Sequence, residues 1–311
     1  MFKEKNLKKT KKAVIIAGYQ CNNKCQFCMN SGKRDLPAKS TSQIMADMVL
    51  LRKKGFTYLE IIGGEATIRP DIIDLVSFAR RLKFEQIVMA TNGRLFAYGE
   101  FAKKMMEAGL TDLIFSIHGH NSRLHDFLTG ATGSFNQLKA GIKNVKRYGL
   151  RRLSTNTTIV KQNCRYLPQI GKFLLEIGSS NGEFIFVDPT HGDVKERFFD
   201  FVPKISEAAV YIRRCLDLGK GRNIHWFARY VPLCYFSNYL DQISELREVA
   251  TFHTQHLAPD FINLDVEKSR KEISRVKTGK CAACLLFNQC EGIWKEYLKH
   301  YGDKELKPVK K

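Results

Sequence analysis

An α/β fold built on a parallel sheet is what this sequence predicts, and three features predict it. Six short β-rich runs alternate with helix-like segments through the first two-thirds of the chain. Several of those segments end at a glycine, the residue best suited to the left-handed turn that closes a helix. Successive β-α units wind right-handedly, so the sheet is either open and doubly wound or a complete or partial barrel. All of these place function at the C-terminal strand ends.

The six runs are Ala13–Gly18, Tyr58–Gly63, Gln86–Thr91, Asp112–Ile117, Leu153–Val160 and Glu183–Asp188. Between them, Ser42–Lys54, Asp71–Leu82, Glu100–Ala108, Phe135–Tyr148 and Tyr166–Ile177 repeat apolar residues at mixed three and four spacing, and Gly55, Gly109, Gly149 and Gly178 follow four of them. From about Lys195 the alternation stops. Residues 240–280 read as helical and polar, and an aromatic helix, Ile293–Tyr301, closes at Gly302. The C-terminal part is expected to pack on the barrel.

With 311 residues, 44% hydrophobic and 11% aromatic, the chain can bury one large core and carry a smaller second unit. No stretch approaches the roughly 20 apolar residues of a membrane span, and Ala13–Ala17 is too short for a secretory apolar region. A cytoplasmic protein is expected. Six of the nine cysteines fall in two tight groups, Cys21/Cys25/Cys28 and Cys281/Cys284/Cys290, a poor pattern for secreted disulfides and a better one for metal or cluster binding. The net charge of +20 attracts anionic partners without naming one. Part of it sits at the ends, Lys3–Lys12 and Lys304–Lys311, which read as solvated or frayed tails.

The first group stands in Gly18-Tyr19-Gln20-Cys21-Asn22-Asn23-Lys24-Cys25-Gln26-Phe27-Cys28, directly after the first strand, where a β/α sheet places its active site. Three thiolates this close can hold one face of an iron–sulfur cube and leave the fourth iron open to another ligand. A zinc knuckle is the competing reading, weakened because the motif has no fourth close Cys or His. After the second strand comes Gly63-Gly64-Glu65. Two glycines let backbone approach a ligand closely, and the carboxylate can accept from an ammonium group. Strand three ends Thr91-Asn92-Gly93 and strand four ends Ser116-Ile117-His118-Gly119, with Gly130 to Phe135 beyond.

Four motifs in this order, over about residues 13–190, resemble the radical S-adenosylmethionine (SAM) superfamily. The resemblance implies a partial (β/α)6 barrel over 13–218 between a basic tail at 1–12 and a C-terminal region at 219–311. It implies a four-iron, four-sulfur cluster on Cys21, Cys25 and Cys28 whose open iron binds SAM. It further implies that Phe27 packs on adenine, that Gly63, Gly64 and Glu65 hold the SAM amino group, and that Ser116 contacts SAM. Asn156 takes a strand-five position where a polar residue meets SAM, although the family's apolar-glycine pattern there is absent. His118 is a candidate for substrate contact or proton relay against the plainer reading of a loop histidine.

Cys281, Cys284 and Cys290, with Gly292, Trp294 and Tyr297 beyond them, resemble the auxiliary-cluster extensions called SPASM and twitch. The full SPASM pattern has a further cysteine where this chain has Trp294, and no cysteine follows Cys290. One auxiliary four-iron, four-sulfur cluster closed by Cys234 is therefore expected, serving electron transfer or stability, with Cys164 and Cys215 as ordinary buried residues. A zinc site completed by Cys234 or His300 is the alternative. The implied activity is reductive SAM cleavage followed by hydrogen abstraction from a peptide or small molecule, driven by a low-potential donor such as flavodoxin or ferredoxin. RNA or nucleotide modification and methyl transfer are the competing enzyme readings, the former resting on charge alone. A non-catalytic iron–sulfur or zinc protein is the reading from another class.

Overall fold

The computed structural model describes residues 9–310. Strands β1 (Thr10–Ile16), β2 (Tyr58–Ile62), β3 (Gln86–Thr91), β4 (Asp112–Ser116), β5 (Arg152–Ile159) and β6 (Asn181–Phe186) pair in parallel, each with the next. Helices α1 (Thr41–Lys53), α2 (Ile72–Arg81), α3 (Gly99–Ala108), α4 (Ser122–Thr129), α5 (Ser134–Arg147), α6 (Lys161–Cys164) and α7 (Leu167–Glu176) fill the crossovers. Local chemistry sets their ends. At the start of α1, Ser40 Oγ accepts from Gln43 N–H and Gln43 Oε1 from Ser40 N–H, a reciprocal cap. Gly109 ends α3 at φ +110°.

Side chains alternate along the strands. Ala13 and Ile15, Leu59 and Ile61, and Leu113 and Phe115 are buried in the helix-facing core. Their alternates, Lys12, Glu60, Ser116, Asn156 and Glu183, face the opposite side. That lumen is polar: Lys12 and Glu60 pair across it at 2.6 Å.

The strand alternation does not stop at residue 195. After α8 (Gly192–Glu196), α9 (Phe198–Phe201) and α10 (Ile205–Gly219), β7 (His225–Arg229) adds in parallel beside β6. After α11 (Ser244–Thr251), β8 (Phe252–Leu257) adds in parallel on the far side of β1, with β9 (Ile262–Asn263) antiparallel at the edge. The order is β7-β6-β5-β4-β3-β2-β1-β8-β9. Both added strands are short and turn polar residues such as Arg229, Thr254 and His256 to the lumen, so they lack the apolar runs that betray a strand. Helix α11 packs on both β7 and β8, curling the sheet into a partial barrel. The expected helical stretch at 240–280 instead holds α11, β8, β9, the short helix α12 (Val266–Ser269) and β10 (Arg275–Val276). β10 pairs with β11 (Ile293–Trp294) before α13 (Lys295–Tyr301).

Both expected tails are shorter than the charge runs suggest. Residues 1–8 and 311 lie outside the described residues, but β1 already begins at Thr10. At the other end Leu306 is buried, Val309 O accepts from Leu285 N–H and Val309 N–H donates to Cys284 Sγ, so 304–310 is packed rather than frayed. No described helix is long and apolar enough to cross a membrane.

Candidate functional site

The loop carrying the first three cysteines leaves β1 and is fixed on every side. Gly64 N–H donates to Gly18 O and Glu65 N–H to Gln20 O, both at 2.9 Å. A Cβ on Gly63 would lie 2.4 Å from Gly18 O, and one on Gly64 would lie 2.2 Å from Gln20 O. The space these glycines leave is thus filled by the cysteine loop itself rather than by a ligand. Beyond Cys21, Lys24 and Gln26 donate backbone N–H to Thr129 O and Leu128 O at the end of α4. There Gly130, at φ +60°, admits Lys24 O where a Cβ would stand 2.3 Å away.

Arg94 completes the clamp. Its Nη1 donates to Asn22 O and to Asn23 Oδ1, the latter at 3.0 Å, while Nε donates to Gln137 Oε1 at 2.6 Å. Asn92 Nδ2 donates to Asn22 Oδ1 at 2.7 Å. Neither Arg94 nor Asn22 is among the residues predicted for the site. The available signal is the Thr91-Asn92-Gly93 motif, which delivers Arg94 to a strand end beside the cysteines.

Cys21, Cys25 and Cys28 are free and partly buried. Burial, then the two neighbouring thiols, pushes Cys25 up to about 12. Burial likewise raises Cys21 against the opposing hydrogen bond from Asn23 N–H. Thiols on one zinc ion would stand about 3.8 Å apart, given Zn–S bonds of about 2.3 Å. Among the described residues only His253, Asp265 and Glu267 bring three ligand atoms within 4.8 Å of one another, so neither cysteine group is gathered that tightly. Two of those acids already accept backbone N–H groups, Asp265 from Lys268 and Glu267 from Thr254. Three spaced thiols without a fourth fit an iron–sulfur cluster with one open iron.

Glu65 is 3% exposed and joins β2 to β3. Its Oε1 accepts from Thr67 Oγ1 at 2.5 Å and Thr91 Oγ1 at 2.7 Å, and its Oε2 from Asn92 N–H at 2.6 Å. Burial raises its pKa and these bonds oppose the rise. Ser116 and Asn156 are direct register partners on β4 and β5, half-buried side by side on the lumen face. Next to them stands Glu183, the register partner of Asn156 on β6. A cleft of about 520 Å³ opens beside Gly18, Gly63 and Glu65; Thr41 and Asp71 at the helix starts line it, and Ser116 and Asn156 do not.

Phe27 is buried, its ring edge-on to His118 at 4.8 Å between centroids. His118 is also buried. Its Nδ1 accepts from Thr158 N–H at 3.3 Å, and its ring stacks on His125. Burial, then His125, depresses its pKa to about 3. His118 is thus an enclosed, neutral imidazole packed behind Phe27.

The second group gathers thiols from two separate segments, with a third, around Leu306, closing the wall. A cavity of about 30 Å³ is walled by Cys234, Cys281, Cys284 and Cys290, with apolar neighbours such as Leu286 and Ile293. Burial, then its three companions, pushes Cys234 up to about 11 against a hydrogen bond from Lys307 N–H. Cys290 Sγ accepts from Gly292 N–H at 3.3 Å and Leu233 N–H at 3.5 Å; Cys284 Sγ accepts from Val309 N–H at 3.4 Å. Four thiols with amide donors in an apolar wall fit a closed cluster. His300 does not line this cavity and stacks on Phe198 instead, at 4.2 Å. Cys164 and Cys215 are buried in the core.

A family model described as the radical SAM superfamily matches residues 15–174. A protein of Sulfurisphaera tokodaii named "Probable GTP 3′,8-cyclase" is 25% identical over 220 residues, covering 70% of this chain and 68% of its own length. The Mycobacterium tuberculosis "Mycofactocin maturase MftC" is 28% identical over 163 residues, covering 52% of this chain and 41% of its own. Among solved structures, Streptococcus suis SuiB bound to S-adenosylmethionine superposes with a TM-score of 0.67 at 19% identity, covering 93% of this chain and 74% of SuiB. SuiB bound to the precursor peptide SuiA gives a TM-score of 0.66 at 18% identity, covering 94% of this chain and 73% of SuiB.

Proposed function

Because this chain belongs to the radical SAM superfamily and is an enzyme of it, we propose that it activates SAM at Cys21, Cys25 and Cys28 and acts on a peptide. The observation that carries the first half is the three-thiol loop, clamped at the C-terminal end of β1 and supplying three thiols and not four among the described residues. When bound there, the cluster and SAM supply one-electron cleavage of the sulfonium C5′–S bond and a 5′-deoxyadenosyl radical that takes hydrogen from substrate.

The chain's own residues do the rest. Gly63 and Gly64 seat the cysteine loop, and Glu65 fixes the β2 and β3 ends while its Oε2 keeps acceptor capacity for an ammonium group. Ser116 and Asn156 offer a hydroxyl and an amide from adjacent strands, and Phe27 fixes the approach to the third cysteine. The partial barrel limits water around the reacting hydrogen. Cys234, Cys281, Cys284 and Cys290 would hold a closed second cluster of the twitch kind, within a C-terminal region from residue 219 that also lends β7 and β8 to the sheet. Its role would be electron transfer or stability. An acidic low-potential donor such as flavodoxin or ferredoxin, in a reducing compartment such as the cytoplasm, suits the +20 charge and the free thiols.

The peptide reading is supported by the likeness to SuiB, whose structure with a precursor peptide spans nearly this whole chain. A nucleotide substrate is the second reading, favoured by sequence similarity to the S. tokodaii protein. Anaerobic reconstitution, then dithionite and SAM, tests the core of the proposal. 5′-Deoxyadenosine should form, and its absence with clusters intact by EPR would sink the reading. A peptide encoded beside this gene should then stimulate the reaction and pass its label into 5′-deoxyadenosine; stimulation by GTP instead would favour the nucleotide reading.

A further inference from the structure

Most of the buried charge between barrel and second cysteine site is neutralised pairwise. Arg229 on β7 meets Glu248 of α11 at 2.5 Å, and Arg270 meets Glu248 at 2.9 Å and Glu291 at 2.8 Å. Arg275 on β10 is the exception. It is 3% exposed, yet only its Nη2 has a partner, Gly292 O at 2.6 Å. Its Nε and Nη1 are buried without an acceptor among the described residues. Glu245, the acid nearest to balancing it, holds Tyr230 N–H through Oε1 and leaves Oε2 unpaired, so the two do not form a hydrogen-bonded pair.

The guanidinium is held in place by what surrounds it. It lies over the Trp294 ring at 4.7 Å and the Tyr230 ring at 5.9 Å. Tyr230 adopts φ +64°, a conformation a tyrosine takes only when its surroundings enforce it. Gly292 links the arginine to the thiols: its carbonyl accepts from Arg275 while its N–H donates to Cys290 Sγ. A Cβ on Gly292 would meet Val276 O at 2.1 Å, so the β10–β11 hairpin keeps that approach.

We propose that Arg275 is a positioning residue for the second cysteine site, a buried, fixed positive charge with two free donors that raises the reduction potential of a cluster held by Cys234, Cys281, Cys284 and Cys290. This rests on the reading of those thiols as a cluster site. The physical reason is direct: reduction adds negative charge, a nearby cation stabilises it, and charge and hydrogen bonding are levers on iron–sulfur potentials. A lysine can restore the charge without the planar fork or the stacking on Trp294.

The test is an EPR-monitored redox titration of the reconstituted full chain, comparing wild type with Arg275→Met and Arg275→Lys after iron has been counted. At fixed solution potential the reduced-to-oxidised ratio of the second cluster should fall about tenfold in Arg275→Met, a shift of about 59 mV for one electron. Arg275→Lys should recover part of it, and the first cluster should not move. Wild-type iron equal to one cluster only would overturn the cluster reading. Iron for two clusters in every variant with an unmoved second potential would overturn the role of Arg275 alone. Should Arg275→Met lose iron, Arg275→Lys and Arg275→Gln at full iron carry the comparison, with a lower potential in Gln expected and equal potentials refuting it.

Discussion

The two cysteine sites solve opposite problems with the same ligand. In the barrel, three thiols come from one short loop, and the surrounding structure works to fix that loop: glycines at Gly63, Gly64 and Gly130, hydrogen bonds from loop N–H groups to the last carbonyls of α4, and the fork of Arg94. In the C-terminal region four thiols come from two distant places in the chain and wall an apolar cavity. Loop fixation without a fourth ligand suits a site that must accept another molecule. Gathering four ligands from distant segments suits a site that holds the fold together and passes electrons. On this comparison, barrel-site substitutions should remove chemistry, while C-terminal-site substitutions should remove iron and stability first.

The largest expected effect follows from that contrast. Cys25→Ala should reduce 5′-deoxyadenosine formation to background while leaving the second site's iron in place. Cys234→Ala should do the reverse, lowering iron at the second site and leaving measurable SAM cleavage without substrate. Iron counting with LC detection of 5′-deoxyadenosine reads both. Full iron in Cys234→Ala would remove that thiol from the ligand set, and the comparison with it.

A smaller effect probes how the barrel loop is held. Gly64→Ala would drive a methyl into Tyr19 O and Gln20 O at 2.3 and 2.2 Å, contacts that backbone can relieve only by moving the loop. Overpacking of this kind costs about 1–3 kcal/mol. The expected result is a lower melting temperature together with weaker SAM binding by calorimetry. Unchanged binding would mean that the glycine pair serves packing alone.

Much of the barrel was legible in sequence because its signals are local. Strands β1 to β6 fall within a few residues of the predicted runs, since each alternates core-facing residues such as Leu113 and Phe115 with lumen residues. Strands β7 and β8 were not legible: Arg229, Thr254 and His256 face a polar lumen, and β8 pairs with β1 across most of the chain. The site divides the same way. Spacing alone brings Cys21, Cys25 and Cys28 together. That Cys234 joins Cys281, Cys284 and Cys290 depends on the fold, as does the docking of Leu306 to Val309 beside them. Arg94 was missed because its contacts to Asn22 and Asn23 bridge two strand ends.

The smallest effect is a pH dependence that belongs to the barrel side alone. His118 and His125 are buried behind Phe27, with burial as the first cause holding their pKa values at about 3 and about 4 against an ordinary 6.5. Both are therefore neutral when folded and take up protons when unfolded in mildly acidic solution. Their neutral packing contributes fully above pH 6.5, and its contribution is lost progressively as pH falls toward the folded values. Each such proton adds a slope of about 1.4 kcal/mol per pH unit within that window. His118→Asn, which keeps an acceptor near Thr158 N–H without an imidazole to charge, should flatten the fall in urea midpoint between pH 6 and 5 by about one proton's worth. The second cysteine site has no histidine among the residues that wall it, so iron retained there should not share the change. An equal slope in wild type and His118→Asn would show that acid sensitivity arises elsewhere, with the half-buried His256 of the lumen, whose pKa burial also lowers, the next residue to test.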